Sequence, residues 1–323
     1  MIKVGITGTG SLVGQGIIKS IINSRYSDEY FLVGFDYFDD TVGSFWCDKS
    51  LILPDILKKK VTESEWLDKL TSHINNENLS ILFIGVDFEL PILSRAKKII
   101  EENTGCKVVV SSESVIRISD DKYLTYKFLK ENNLNSPNTF LKDELSNKKL
   151  HFPLIVKPRI GASSINVFKV DSINDLNTKI KKINNPIIQE YIGDSTKEYT
   201  CGTIMLNGEL MESIVLKRTL KKGNTHIAEH YLPAPSNISN YIKKVSNKLQ
   251  PYGVTNFQLR VDDNNNPRIF EINARHSGTT YMRSLFGYNE VIFILKYILE
   301  GKIIKFDINE GKVMRFFDEK IIS

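Results

Sequence analysis

The first third of the chain alternates short apolar runs with longer amphipathic segments. Strands are predicted at Ile2–Thr7, Phe31–Phe35, Leu79–Ile84 and Lys107–Val110, and helices around Ile17–Ile22 and Leu90–Glu102. Strands that alternate with helices are typical of a parallel, doubly wound sheet, because parallel strands need crossover connections. We therefore predict a Rossmann-like α/β lobe over residues 1–115.

The middle of the chain, residues 116–190, contains shorter elements. A linker helix is predicted over Asp120–Asn132, then strands at Leu154–Pro158, Ile165–Val170 and Pro186–Gln189, with a helix near Ile173–Ile183. Their small number and short length indicate a small second lobe.

The remaining residues, 191–323, show period-two patterns joined by tight turns. Tyr199–Leu206 and Glu209–Lys217 flank Asn207-Gly208, a strong signal for a β-hairpin. A second hairpin is predicted from Phe257–Val261 and Arg268–Asn273. Helices near Ile238–Leu249 and Tyr288–Glu300 and a strand over Val313–Phe317 complete an α+β third lobe. The predicted fold class is thus α/β, with a doubly wound first lobe followed by two further lobes.

Composition narrows the class of protein. The 323 residues are 41% hydrophobic and 25% charged, the balance of a soluble globular protein. The net charge of +5 comes from scattered lysines, so no nucleic-acid partner is indicated. Three cysteines without close spacing fit a reducing compartment, and no apolar run is long enough for a membrane helix. The N-terminus lacks a signal-peptide pattern, so we expect a cytoplasmic protein without a membrane partner.

A glycine-rich turn, Gly8–Gly14, joins the first strand to the first helix. Backbone N–H groups at a helix start can bind an anion, and Asp36 stands where dinucleotide folds place a ribose-binding acid. The spacing has one residue more before the third glycine than the usual fingerprint. Two interpretations stay open: the glycines allow close packing, or they bind an anion, and the second raises an NAD(P) oxidoreductase as an alternative.

The second predicted hairpin carries the most informative polar residues. If residues 263–266 form its turn, then Gln258 faces Glu271 across the two strands, and Asn273 shares the face of Glu271. Amide and carboxylate oxygens are the hard ligands that Mg²⁺ prefers, with phosphates and waters completing the shell. We therefore predict a magnesium site at Gln258, Glu271 and Asn273, with Arg275 placed to hold a phosphate. An ordinary polar sheet face is the alternative.

The small lobe contains candidate phosphate-binding residues. Lys157 ends a hydrophobic strand, and a loop of small residues, Gly161, Ala162, Ser163 and Ser164, follows it. Such a loop lets backbone N–H groups approach a phosphate closely. Farther along, Glu190, Tyr191 and Ile192 end a strand where backbone groups can bind adenine, and the carboxylate of Glu198 can accept from ribose hydroxyls.

The order of these motifs resembles the ATP-grasp superfamily, and in particular stand-alone proteins similar to the synthetase halves of the carbamoyl-phosphate synthase large subunit. The resemblance covers nearly the whole chain, and Glu271-Ile272-Asn273-Ala274-Arg275 is its most specific part. It implies a two-lobed ATP-grasp domain after the Rossmann-like lobe, with ATP and Mg²⁺ as cofactors.

The resemblance also implies residue roles. Lys122 and Lys157 would contact the ATP phosphates under the 161–164 loop, and Gln258, Glu271 and Asn273 would hold magnesium. Glu190, Tyr191 and Ile192 would frame adenine, and Glu198 would bind ribose. Arg275 would steady the transferred phosphoryl group, and Lys217 or Arg218 would face the acceptor. His226 lies in a polar loop near the expected active site, with a solvated loop residue as the alternative.

Two departures from the family shape the predicted function. The loop has one glycine where carbamoyl-phosphate synthase is richer, and the chain holds a single synthetase unit. We therefore expect a ligase that phosphorylates a small carboxylate and joins it to an amine, with a phosphotransferase to a carboxylate or amide as the alternative. An NAD(P) oxidoreductase and a non-catalytic nucleotide-binding protein rank lower. The acceptor, the amine and assembly as a homodimer stay open.

Overall fold

A computed structural model describes residues 1–58, 60–161 and 165–319. The first lobe contains β1 (Ile2–Thr7), α1 (Leu12–Ile22), β2 (Tyr30–Asp36), β3 (Lys49–Ile52), α2 (Glu63–Glu77), β4 (Ile81–Phe83), α3 (Leu90–Thr104) and β5 (Lys107–Val108). Its five strands form a parallel sheet in the order β3-β2-β1-β4-β5. The predicted doubly wound sheet is confirmed, and β3 and α2 are additions that the apolar pattern did not reveal.

The second lobe begins after two helices. The elements are α4 (Glu113–Asp120), α5 (Lys122–Glu131), β6 (Thr139–Leu141), β7 (Leu154–Pro158), β8 (Phe168–Val170), α6 (Ile173–Ile180) and β9 (Pro186–Glu190). The helix predicted over Asp120–Asn132 is present as α5, which begins at Lys122 because Asp121 is extended and caps it by accepting from two N–H groups. The strands form an antiparallel sheet in the order β6-β9-β7-β8, with its own small apolar core.

The third lobe is built on a six-stranded antiparallel sheet in the order β14-β13-β10-β11-β12-β15. Its elements are β10 (Glu198–Leu206), β11 (Glu209–Lys221), β12 (Asn224–His230), α7 (Ser236–Leu249), β13 (Gly253–Val261), β14 (Pro267–Asn273), α8 (Thr280–Leu285), α9 (Glu290–Glu300) and β15 (Gly311–Met314). Both predicted hairpins are present. The sequence analysis missed β12, which pairs with the second half of a longer β11.

The first and third lobes share apolar cores, so they form one packed body. Ile17 and Ile21 of α1 belong to the same cluster as Phe293 and Ile294 of α9. The second lobe has a separate core and borders the third lobe across a cleft. This division places the candidate site at the meeting of all three lobes.

A fully buried ion pair contacts β13 near the candidate site. The Arg283 guanidinium donates to Glu290 at 3.0 Å, and both side chains have zero exposure. Arg283 also donates to the Asn256 side-chain oxygen at 2.5 Å, which fixes the residue that faces Asn273 across the β13–β14 hairpin. Gly202 leaves room for the guanidinium, since a Cβ there would lie 2.7 Å from its nitrogen.

Candidate active site

The β13–β14 hairpin presents the predicted metal-binding side chains. Gln258 lies opposite Glu271, as predicted. The pairs nearer the turn differ from prediction, because Leu259 pairs with Ile269 and a β-bulge follows between Gln258 and Leu259. The bulge places two consecutive side chains, Phe270 and Glu271, against the cleft.

The three candidate metal ligands on this face are already hydrogen-bonded. The Asn273 side-chain amide donates to a Glu271 carboxylate oxygen at 3.2 Å, and the Asn273 oxygen accepts from Arg275 at 3.1 Å. The Gln258 oxygen accepts from Arg218 at 2.8 Å. Within the described ranges no cluster of three acidic, histidine or cysteine side chains could hold a metal ion. A cation here would therefore depend on one carboxylate, amide oxygens and groups from a ligand, the mixed shell that magnesium accepts.

Lys157 extends from β7 into the cleft between the second and third lobes. Its ammonium donates to the Gln189 side-chain oxygen at 2.8 Å and to the Phe270 carbonyl at 3.3 Å. Burial lowers the pKa of Lys157 to about 7, although the charge of Glu271 acts in the opposite direction. A buried ammonium with a destabilised charge is suited to an anionic ligand.

Lys122 approaches the same cleft from the start of α5. Its side chain is buried, and its ammonium donates to the Gly161 carbonyl at 2.6 Å. Gly161 has a φ of 150°, a conformation that favours glycine. Ala162, Ser163 and Ser164, which the sequence analysis assigned to the phosphate loop, lie outside the described residues.

The end of β9 forms another wall of the cleft. The Glu190 carboxylate accepts from the backbone N–H of Asn138 at 3.0 Å, and Glu190, Tyr191 and Ile192 line the cleft. The Arg260 guanidinium lies 4.9 Å from the centre of the Tyr191 ring and donates to the Ile192 carbonyl at 3.4 Å. Arg260 thus joins the end of β9 to the third lobe, a role that the sequence analysis missed.

Glu198 lies between two arginines. One of its carboxylate oxygens accepts from Arg218 at 2.8 and 3.0 Å, and the other accepts from Arg260 at 2.9 Å. Its side chain is only 7% exposed. Both carboxylate oxygens therefore hold arginines at the wall of the cleft, and the ribose contact of Glu198 stays a prediction. In this structure Glu198 orients Arg218 and Arg260.

Lys217 and Arg218 lie on opposite faces of β11. Arg218 is buried and lines the cleft, whereas Lys217 is paired with Tyr199 on β10 and with Glu229 on β12. Lys217 is not among the described residues that line either cavity, so of the two residues predicted to face the acceptor it is Arg218 that reaches the cleft. His226 falls at a bulge in β12, and it is the adjacent Thr225 that lines the cavity.

Two neighbouring cavities share lining residues at the candidate site. A small cavity of about 180 Å³ lies between the second and third lobes, and a large cavity of about 810 Å³ lies between the first and third lobes. Both are lined by Lys122, Gly161, Arg218, Gln258 and Glu271. Ligands bound in the two cavities would therefore approach each other beside Lys122, Arg218 and the predicted metal site.

Arg275 is held at the large cavity by the first lobe. Its guanidinium donates to both carboxylate oxygens of Asp87, the longer contact being 3.2 Å. Asp87 follows β4, at the carboxyl end of a parallel strand, where α/β sheets usually place functional residues. Two residues on, Glu89 is fully buried and accepts from Tyr37 at 2.6 Å, which anchors the turn. Asp87 was missed in the sequence analysis.

The glycine-rich turn of the first lobe is hydrogen-bonded to the side chain of Asp36 in the same lobe. The Asp36 carboxylate accepts from Gly10 N–H at 2.6 Å and from the Thr9 hydroxyl at 2.9 Å. A Cβ on Gly14 would lie 2.2 Å from the Gly8 carbonyl oxygen, so close packing explains this glycine. Because Asp36 is committed to the turn, the geometry does not favour the NAD(P) interpretation.

Comparisons with known proteins agree with this architecture. Residues 119–279 match the family model of the ATP-grasp domain. D-alanine--D-alanine ligase of Pseudothermotoga lettingae is 30% identical over an alignment of 161 residues, covering 46% of this chain and 52% of that protein. Carbamoyl-phosphate synthase of Methanobrevibacter smithii is 22% identical over 220 residues, covering 64% and 59%. The chain thus spans little more than half the length of these curated relatives.

A solved structure extends the likeness to the whole fold. The L-amino acid ligase from Bacillus licheniformis superposes with a TM-score of 0.72 at 16% identity, covering 93% of this chain and 74% of that one. The chain belongs to the ATP-grasp superfamily, which confirms the predicted resemblance. In the described part of the chain, no helix has both the length and the apolar character needed to cross a bilayer.

Proposed function

We propose that the chain is an ATP-dependent carbon–nitrogen ligase that activates a small carboxylate as an acyl phosphate and joins it to an amine. The observation that carries this proposal is the junction of the two cavities, where five residues line both. ATP would occupy the small cavity, and the carboxylate and amine would occupy the large one. Transfer between two ligands then needs no movement of an intermediate between separate sites.

The small cavity offers groups for the base and the phosphates of the nucleotide. Ile155, Ile192 and Phe270 supply apolar contacts for a base, beside the Glu190–Ile192 backbone. Tyr191 lines the same wall. Lys122 and Lys157 place two ammonium groups nearby, where phosphates would replace the present carbonyl and amide acceptors.

Magnesium fits the donor set on the hairpin. Gln258 and Glu271 face each other across the hairpin, and the Asn273 amide donates to Glu271, so the three candidate ligands are neighbours on the sheet. We propose that these three residues hold the ion together with ATP phosphates. When bound, magnesium would neutralise phosphate charge.

The remaining steps rest on the chain's own residues. A carboxylate oxygen of the substrate attacks the γ-phosphorus of ATP, and the bond to the ADP oxygen breaks. Arg275, held by Asp87, and Arg218, held by Glu198, are oriented before the substrates arrive. Fixed guanidinium groups stabilise the charge that spreads over the phosphoryl oxygens during transfer.

The second step forms the amide. The amine lone pair makes the new C–N bond, and phosphate leaves with the electrons of the C–O bond. Of the two protons that an ammonium group releases overall, one goes to the departing phosphate and one to solvent. The large cavity, at about 810 Å³, has room for a carboxylate and an amine together, which favours the ligase over a phosphotransferase.

Hydroxylamine provides the test, because it attacks acyl phosphates without needing its own binding site. The protein, with ATP and Mg²⁺, is supplied with a panel of amino acids and other small carboxylates in the presence of hydroxylamine. We expect at least one carboxylate to give a hydroxamate together with ADP. ATP turnover with phosphorylated substrate but no trapped hydroxamate would instead support a phosphotransferase to another group.

A further inference from the structure

Arg315 projects into the large cavity from the edge of the third-lobe sheet. It follows β15, and its backbone N–H donates to the His226 carbonyl at 2.8 Å. Its guanidinium donates to the Gly278 carbonyl and lies 3.8 Å from the Met282 sulfur. The side chain is therefore held in place by a neutral carbonyl and a thioether.

Arg315 differs from the other arginines of this cavity in having a neutral hydrogen-bond acceptor as its partner. Arg218 is paired with Glu198, and Arg275 is paired with Asp87. Among the described residues Arg315 forms no salt bridge, because its guanidinium donates to a carbonyl instead, and burial lowers the pKa of that guanidinium. A partly buried cation without a carboxylate partner is costly, and a negatively charged ligand would remove that cost.

The start of α1 lies beside the same guanidinium. A Cβ on Gly278 would lie 3.7 Å from Leu12 Cβ and 3.9 Å from the Arg315 Nη2 atom, so both groups border one point. Leu12 and Val13, the first residues of α1, line the large cavity. Their position at a helix start adds a positive potential to that of the arginine.

An acidic side chain lies elsewhere in this cavity. Asp120, at the end of α4, lines it and is close enough to Lys122, Arg275 and Asp87 for their charges to act on its pKa. The large cavity therefore has an anion-binding end at Arg315 and, nearer the proposed reaction centre, an acidic group that suits an ammonium ion.

We propose that the amine substrate is an amino acid, whose carboxylate is bound by Arg315 and the first turn of α1 and whose amino group points towards Asp120. This inference rests on the proposed ligase function and names its second substrate. The Arg315-bound carboxylate takes no part in bond making. It selects the amine and sets its direction, so Arg315 is a specificity-determining residue.

The test compares amino acids with their carboxamides as amine donors. The activated carboxylate is the one found with hydroxylamine, held at saturating concentration, and amide product is measured by mass spectrometry. The wild-type protein should prefer an amino acid over its carboxamide by about 10- to 100-fold in kcat/KM, the size of a hydrogen bond to a charged group. Arg315→Gln should lose that preference, while its hydroxamate yield with hydroxylamine stays within about twofold, because hydroxylamine has no carboxylate to bind.

Two further variants control for structure and charge. Arg315→Lys keeps a cation and should retain part of the preference, even if Arg315→Gln folds poorly. Lys312→Gln removes a charge from the same strand, at an exposed pair with Glu229, and should leave the preference unchanged. Equal use of amino acids and carboxamides by the wild-type protein would overturn the assignment of Arg315. Failure to form any hydroxamate would instead count against the proposed ligase function itself.

Discussion

Glu271→Gln is expected to lower ATP turnover by about two to three orders of magnitude while leaving the fold intact. Glutamine preserves the shape of the side chain and can still accept the hydrogen bond from Asn273. It removes the one carboxylate among the three proposed magnesium ligands. Since amide oxygens alone bind magnesium weakly, the variant should also require more magnesium for its residual activity.

The measurement is steady-state ADP release as a function of magnesium concentration, beside a thermal unfolding curve. Glu209→Gln, an exposed site on the same sheet, is the matched control and should behave as wild type. Glu271→Gln with most of its turnover and an unchanged magnesium requirement would place the metal site elsewhere.

Lys157→Met should reduce turnover by about 10²- to 10³-fold and, at the same time, stabilise the nucleotide-free protein at neutral pH. The ammonium is buried, and methionine fills similar space without a charge. Gln189 loses a hydrogen-bond donor, so we expect a net gain of roughly 1–3 kcal/mol in the free energy of unfolding. ATP should raise the Tm of the wild-type protein much more than that of the variant.

The stabilisation should depend on pH in a defined direction. Burial lowers the pKa of Lys157 from 10.5 to about 7, so between these values the unfolded chain binds the proton more strongly than the folded one. The penalty is complete below pH 7 and disappears as the pH approaches 10.5. Lys157→Met should therefore raise Tm most at pH 7 and little near pH 10. Lys181→Met, exposed on the same lobe, should shift Tm equally little at both pH values. A lower Tm for Lys157→Met at pH 7 would contradict this reasoning.

Gln258 was correctly predicted to lie opposite Glu271, although the predicted turn of this hairpin was wrong. A turn at residues 263–266 requires Asp262 to lie opposite Pro267, whereas in the structure Val261 lies opposite Pro267. The bulge then restores the predicted register at Gln258. Alternation alone cannot reveal a bulge, because the extra residue depends on how the strand bends to reach the cleft.

Contacts between distant parts of the chain account for most of what the sequence did not reveal. Asp87 and Arg275 are 188 positions apart, and their pairing depends on how the first lobe packs on the third. Glu198 looked like a free acid because Arg218 and Arg260 come from strands on either side of it. Local patterns did predict the parallel sheet, both hairpins and the position of Lys157, since these depend on neighbouring residues.

Identification of the nucleotide products tests the central claim most directly. With ATP, magnesium and the carboxylate found by hydroxamate formation, the products are separated by ion-exchange chromatography and phosphorus is followed by NMR. Lys122, Arg218 and Glu271 line both cavities and Lys157 lines the small one, so charge is concentrated at the transferred γ-phosphoryl group. The predicted result is ADP and inorganic phosphate in equal amounts with the amide product. AMP and pyrophosphate would show attack at the α-phosphorus and contradict the account.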